Sequence, residues 1–234
     1  DNRDLHSFPT RRSSDLQEVA LQTYFDRMSE LLLKEKLRTT KKTEVRDVAR
    51  TRTITIMRVL GIKRNNLIIQ FLREAEIITD ENSILTKASM KDMDLQGVDL
   101  RGVFLHGADL QGTNLKGAHL QFVELPNAEL KGPNLQGADL RGAEFLCAKL
   151  QNANLENANL KLTSLRMTKL KGVNFRNVDM WGAQIHGADL VEANLEGANL
   201  TKANLSGAQN ITKEQLASVK SLKGATMPDG TIHK

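Results

Sequence analysis

The amino-acid sequence predicts an all-β solenoid, a tube wound from short repeats, and three observations carry that prediction. From Leu95 to Leu205 every fifth residue is Leu, Phe, Met or Ile, twenty-three positions without a gap. Two residues earlier stands a usually smaller residue, most often Ala, as in Ala108, Ala118, Ala138, Ala153 and Ala188, and two residues later Gly occurs thirteen times. Aromatic residues make up only 4% of the chain against 40% hydrophobic, so the interior is aliphatic and regularly spaced rather than the aromatic-rich core of an ordinary domain.

A period of five fits neither the 3.6 of a helix nor the 2.0 of a flat strand. It fits a coil that turns a corner once per repeat. The large and small residues of each repeat point inward, and Gly serves backbone geometry near the corner that a side chain would hinder. Asp or Asn precedes the central residue fourteen times in twenty-three, as expected of side chains that hydrogen-bond local backbone at turns.

The pattern A(D/N)LxG over residues 91–210, about half the chain, resembles the pentapeptide-repeat family. The resemblance implies a right-handed, four-sided β-helix with four repeats per coil. The sequence offers its own check on the coil size. Residues twenty apart then stack, and Asn114, Asn134, Asn154, Asn174 and Asn194 fall into one column, where a neutral amide ladder can bond coil to coil without the repulsion of a carboxylate ladder. Nearly six coils at ~4.8 Å each give a tube about 28 Å long, and each buried Leu stabilises it by roughly 1.5–3 kcal/mol before entropy is counted.

Open ends of stacked repeats need covering. Residues 211–234 supply a candidate cap: a helix over Thr212–Leu222 with Thr212 as N-cap, Leu216, Val219 and Leu222 turned inward, and Gly224 as its stop. On the other side, residues 17–90 read as a helical region. Helical spacing predicts a first helix from about Gln17 to Leu37 through Val19, Ala20, Phe25, Met28, Leu31, Leu32 and Leu33. A second opens at Thr43, with Val45, Val48, Ala49, Ile56, Met57 and Leu60 on one side, and closes at Gly61. A third runs from Leu67 to Glu76.

Residues 1–16 show no such period and resemble a translated sequencing-adapter fragment; they are expected to be non-native and are left out of the fold reading. The helical region also resembles the segment that precedes the repeats in some bacterial, notably cyanobacterial, members of the family, where it follows membrane-spanning helices. That resemblance implies membrane association only through a segment upstream of Asp1.

The net charge of +5 lies outside the repeat: residues 1–90 carry 17 Lys/Arg against 13 Asp/Glu, and residues 91–210 carry 12 against 13. A helix-turn-helix with Arg46, Arg50, Arg52, Arg58, Lys63 and Arg64 near DNA is one reading of the basic part. It lacks a recognition helix with base-reading side chains at its start, so a small helical bundle with solvated charges is the expectation and nucleic acid is not the expected partner.

The same charge count bears on another property the resemblance implies, since some members of the family shield DNA gyrase by mimicking an acidic duplex. A nearly neutral tube lacks the field that such mimicry needs. DNA mimicry toward a DNA-handling enzyme such as gyrase therefore stands as the alternative function.

Candidate chemistry is sparse. His106, His119 and His186 fall on different corners or coils, Asp92 and Asp94 are solvated repeat positions, and no nucleophile has an acid and base implied by spacing. The expectation is no enzyme, no metal and no cofactor. With the single Cys147 unable to form an internal disulfide, a reducing cytoplasm is the expected compartment.

What stands out is apolar residues at outward positions where Gly, Asn, Gln and Lys are usual. Phe122, Leu162 and Trp181 lie on one face, and Leu146, Cys147 and Met167 on the adjacent one. Such a patch predicts a protein partner or a homodimer, with packing against the N-terminal helices as the alternative occupant. The function expected from the sequence is a non-catalytic interaction or scaffold module.

Overall fold

The computed structural model describes residues 8–234, in two compact units, Asp1–Ile77 and Ile78–Lys234. The first unit holds three helices: α1 (Phe8–Lys34), α2 (Thr43–Val59) and α3 (Ile62–Glu74). Its core is built from Leu21, Tyr24 and Met28 of α1, Ala49, Thr53 and Met57 of α2, and Ile68, Ile69 and Leu72 of α3, all buried. Buried Thr53 is compatible with this apolar set because its hydroxyl donates to the Ala49 carbonyl at 2.9 Å and lies 2.9 Å from the Tyr24 hydroxyl. Burial pushes the Tyr24 phenol well above its ordinary range, against the smaller opposing effect of that contact.

Two helix starts differ from the sequence expectation. Whereas the expected start was Gln17, α1 begins at Phe8, inside the stretch 1–16; residues 1–7 of that stretch lie outside the described residues. The early turns of α1 are tied to α3 by polar groups. Arg64 donates to Gln17 Oε1 at 2.8 Å and to the Ser14 carbonyl and hydroxyl at 3.3 Å each, an attachment that leaves no apolar period to read. Similarly α3 begins at Ile62 rather than Leu67, because Asn65, outwardly a loop residue, is buried and donates its side-chain amide to the Met57 carbonyl at 3.0 Å. Conversely Val19, Leu33 and Val48, expected on packed faces, are exposed.

The second unit is a coil held by parallel bridges between residues twenty apart, from Ser89↔Asp109 through Asp189↔Gln209. Four pentapeptides therefore make one turn. Backbone bonds alternate between neighbouring coils: Leu95 N–H donates to the Asn114 carbonyl at 2.8 Å, and Asn114 N–H to the Met93 carbonyl at 2.9 Å. No strand longer than one bridge occurs among the described residues of this unit, a departure from the all-β label with a simple origin. Each repeat spends two residues turning its corner, so each face is too short for a continuous strand.

Position by position, the repeat explains itself. The central Leu, Phe, Met or Ile and the small residue two before it are buried along the entire run, down to Phe145 and Phe175. At the Asp/Asn position the side-chain oxygen accepts from the backbone N–H two residues on, as Asp99 does from Arg101 at 3.1 Å and Asn134 from Gln136 at 3.2 Å, which closes the corner. The next corner residue takes a left-handed conformation, with φ near +60° whether it is Gly97 (62°) or Asn157 (59°).

Both ends of the tube extend past 91–210. Before it, Ile78, Ile84, Leu85, Ala88 and Met90 are fully buried, so the first coil is built from residues in which the A(D/N)LxG pattern has faded. After it, α4 (Lys213–Ala217) is only one turn long. Thr212 is its N-cap as expected, in a reciprocal box with Gln215: Thr212 Oγ1 accepts from Gln215 N–H at 3.2 Å, and Gln215 Oε1 from Thr212 N–H at 2.7 Å. The helix then stops, and the coil resumes with bridges Asn199↔Ser221 and Asn204↔Thr226, now twenty-two apart. Leu222 and Gly224 are thus a repeat's central residue and its left-handed corner (φ 69°), not the inward face and stop of a longer helix.

Candidate functional site

One face of the tube carries outward residues Phe104, Glu124, Glu144, Ser164, Gln184 and Asn204, stacked by consecutive bridges. The corner entering it runs down the column Gly102, Phe122, Gly142, Leu162, Gly182 and Lys202, and the corner leaving it down Gly107, Asn127, Cys147, Met167, Gly187 and Gly207. Phe122, Leu162 and Trp181 therefore share one corner, Leu146, Cys147 and Met167 share the next, and a single face lies between them.

These side chains are outside. Phe122 is 68% exposed, Leu162 61% and Met167 57%. Phe122, Leu162, Cys147 and Met167 also occupy the left-handed conformation, at φ 57–58°, where a non-glycine residue is disfavoured by roughly 1–2 kcal/mol.

The alternation of large residue and glycine has a packing reason. A Cβ built on Gly142 would come within 2.6 Å of Phe122 Cε1, and one on Gly182 within 2.9 Å of Leu162 Cδ2. Phe122 and Leu162 each lie along the corner of the following coil, where glycine leaves room for them. Met167 bears on Gly187 in the same way. Trp181 sits beside Leu162, whose N–H donates to the Trp181 carbonyl at 3.0 Å, and Lys202 Nζ stands 5.5 Å from the indole centroid.

Phe104 belongs to the same face, a residue absent from the set expected from the sequence. It is half-buried at an Asp/Asn position, with its ring stacked 6.1 Å from His106. Its occurrence in a column of polar residues was the available signal.

The Asn column lies elsewhere on the tube. Asn134 donates to Asn114 and Asn154 to Asn134 at 3.4 Å each, Asn174 to Asn154 at 3.1 Å, and Asn114 to Asp94 at 2.9 Å. Asn194 stacks on Asn174 by a backbone bridge. Among the charged residues, Arg141 holds Asp139 at 2.7 Å and Lys161 holds Asp179 at 3.1 Å. Burial raises the Asp139 carboxyl, but the side-chain and backbone hydrogen bonds of Arg141, with that of Gln121, bring it below the usual carboxylate range.

The three histidines do not converge: His186 meets Ser206 at 2.9 Å, His106 stacks on Phe104, and His119 is exposed between Asp99 and Asp139 in its column. Among the described residues no group of three His, Cys, Asp or Glu could hold a metal, and no helix is long and apolar enough to cross a membrane. In the helical unit, α1 and α2 flank a mainly apolar groove of about 480 Å³ beside Tyr24, Ile56 and Val59, with Arg27 and Arg52 at its sides.

The model of the pentapeptide-repeat family, in eight copies, matches residues 81–112, 108–145, 143–182 and 179–209, more than half of the chain. The chain belongs to the pentapeptide-repeat family. Among solved structures, the repeat protein HetL, involved in heterocyst differentiation regulation in the cyanobacterium Nostoc sp. strain PCC 7120, is 26% identical over 64% of this chain and 91% of its own, with a TM-score of 0.26. QnrB1, a plasmid-mediated fluoroquinolone resistance protein, is 15% identical over 60% and 82%, at 0.42. A pentapeptide-repeat protein of the Arabidopsis thaliana thylakoid lumen is 24% identical over 61% and 85%, at 0.33. No curated protein sequence matches the chain.

Proposed function

We propose that this pentapeptide-repeat protein is a non-catalytic interaction or scaffold module, a right-handed four-sided tube that engages a protein partner through the face between its two apolar corners. The observation that carries the reading is the set Phe122, Cys147, Leu162 and Met167, exposed and at left-handed positions. Glycine would serve the backbone better at each, and water gains nothing from the apolar groups. A contacting protein surface does gain from them, by removing that area from water.

DNA mimicry is the less supported alternative, because 12 Lys/Arg balance 13 Asp/Glu over residues 91–210 and the tube has no strongly negative field to present. A gyrase supercoiling and quinolone-protection assay at high protein excess is expected to show no effect.

The interaction reading is tested by photo-crosslinking in the native host cell, with a photoreactive amino acid at 122 or 167, and at Lys116 or Lys131 on other corners. Protein adducts concentrated at 122 and 167 are expected; adducts absent there, or equally frequent at all four positions, would contradict it.

A further inference from the structure

We infer that the occupant of this face is a second copy of the chain, packed antiparallel about a two-fold axis that crosses the tube midway between the coils of Glu144 and Ser164. The inference rests on the interaction reading above and adds to it the partner and the register.

Coil level is read from the bridge column Phe104, Glu124, Glu144, Ser164, Gln184, Asn204. A two-fold axis lying in the face and perpendicular to the tube pairs each corner with itself and reverses the order of coils. Glu144 then faces Ser164 of the second copy, Glu124 faces Gln184, and Phe104 faces Asn204. Ser164 is sunk into the surface, 7% exposed, which leaves room opposite Glu144, and Arg166 on the same coil as Ser164 stands beside that carboxylate.

On the first corner Phe122 meets Trp181 of the second copy, and Leu162 meets the coil of Gly142, which carries no side chain at the corner position. On the second corner Leu146 and Cys147 meet Met167. Every apolar corner residue of one copy thus meets an apolar residue or a glycine of the other, while Phe104, on the face itself, meets Asn204. Arg141 and Lys161, which come opposite one another, are each already held by an aspartate of their own chain.

A parallel arrangement fails on charge. It places each coil against its own level, so Phe122 meets the corner of Pro126 and Asn127, and Glu124 and Glu144 oppose their own copies across a desolvated face, which is destabilising. An isologous patch must be self-complementary under its own symmetry operator, and of these two arrangements the antiparallel one keeps the carboxylates apart while matching the apolar corners.

The test has two parts. Light scattering of the native chain is expected to give the mass of a dimer, and a monomer at every accessible concentration overturns the inference while leaving the interaction reading to be judged by whether the adducts at 122 and 167 contain another protein. In a Cys147→Ser background, Phe122→Cys combined with Trp181→Cys is then oxidised. Within one chain these positions are three coils apart, about 14 Å at ~4.8 Å per coil, too far for a disulfide, which needs Cα atoms within about 7 Å. A covalent dimer from the double variant and from neither single variant is expected. A dimer in solution without that crosslink, or a crosslink from a single variant, overturns the antiparallel register. Both positions are at the surface, and circular dichroism matching the native chain establishes that the variants are folded.

Discussion

The four corners of the tube share one backbone conformation and differ in chemistry. Two of them place only Gly, Asn, Asp or Glu at the left-handed position, in the columns Asp92, Gly112, Gly132, Asn152, Gly172, Glu192 and Gly97, Gly117, Gly137, Asn157, Asn177, Gly197. The other two place Phe122, Leu162, Cys147 and Met167 there. Since φ lies between 55° and 70° at all four corners, the fold does not demand the apolar residues. The difference teaches where fold and surface part: what recurs around every corner belongs to the coil, and what is confined to two corners is left to the surface, where the proposed contact would use it.

The comparison sharpens most when a corner Phe is set against a core Phe. Phe145 is 1% exposed, and Phe145→Ala is expected to cost about 3–5 kcal/mol in chemical denaturation. Phe122→Ala is expected to change stability by less than about 1 kcal/mol. A cost at Phe122 approaching that at Phe145 would mean that the corner residue belongs to the core.

Smaller effects follow at the Asn column. Asn154 donates to Asn134 and accepts from Asn174, so Asn154→Asp removes one donor and faces the Asn134 oxygen with a carboxylate. A loss of about 1–2 kcal/mol at neutral pH is expected, partly recovered in acid as the carboxyl takes up a proton and can donate again. An unchanged unfolding curve would make the ladder incidental.

The glycine corners allow a finer comparison. A Cβ on Gly137 meets open space, whereas one on Gly142 meets Phe122. Gly137→Ala is expected to cost about 1 kcal/mol from backbone conformation alone, and Gly142→Ala more, with the excess removed when Phe122 is also replaced by Gly.

The smallest effect concerns pH. Asp139 is held below the usual carboxylate range, so the stability it contributes is present above about pH 4, the unfolded carboxylate value, and is lost as pH falls through its lower folded-state value. Asp139→Asn is expected to flatten that acid limb of the stability profile slightly, and an unaltered limb would remove Asp139 from the account.

The tube was legible because its determinants are local and repeated. A Leu at every fifth position and an Asn column at every twentieth specify the repeat and the coil, and the bridges between residues twenty apart follow that spacing. The ends were less legible, since there the chain departs from its period. Leu222 and Gly224 look like helix residues until the bridges at Ser221 and Thr226 place them in a resumed coil with a shift of two.

The helical unit was legible in number of helices but not in their faces. Its core includes Thr53 and Asn65, buried because particular partners satisfy them, while Val19 and Leu33 point to solvent. Helical periodicity cannot foresee such pairings. Of the apolar face, the six outward residues could be read from the sequence as breaks in the pattern. Phe104 could not be grouped with them until bridge order put it on the same face, and neither could the glycines that make room for Phe122 and Leu162.

The central claim is that the apolar corners serve a surface rather than the fold, and the unfolding free energy of the triple variant Phe122→Gly, Leu162→Gly, Met167→Gly tests it most directly. With the variant and the native chain both compared as monomers at low concentration, the account predicts a variant at least as stable as the native chain, because glycine relieves three left-handed residues. A loss of more than about 2 kcal/mol, the scale of a buried side chain, would contradict it and return these residues to the fold.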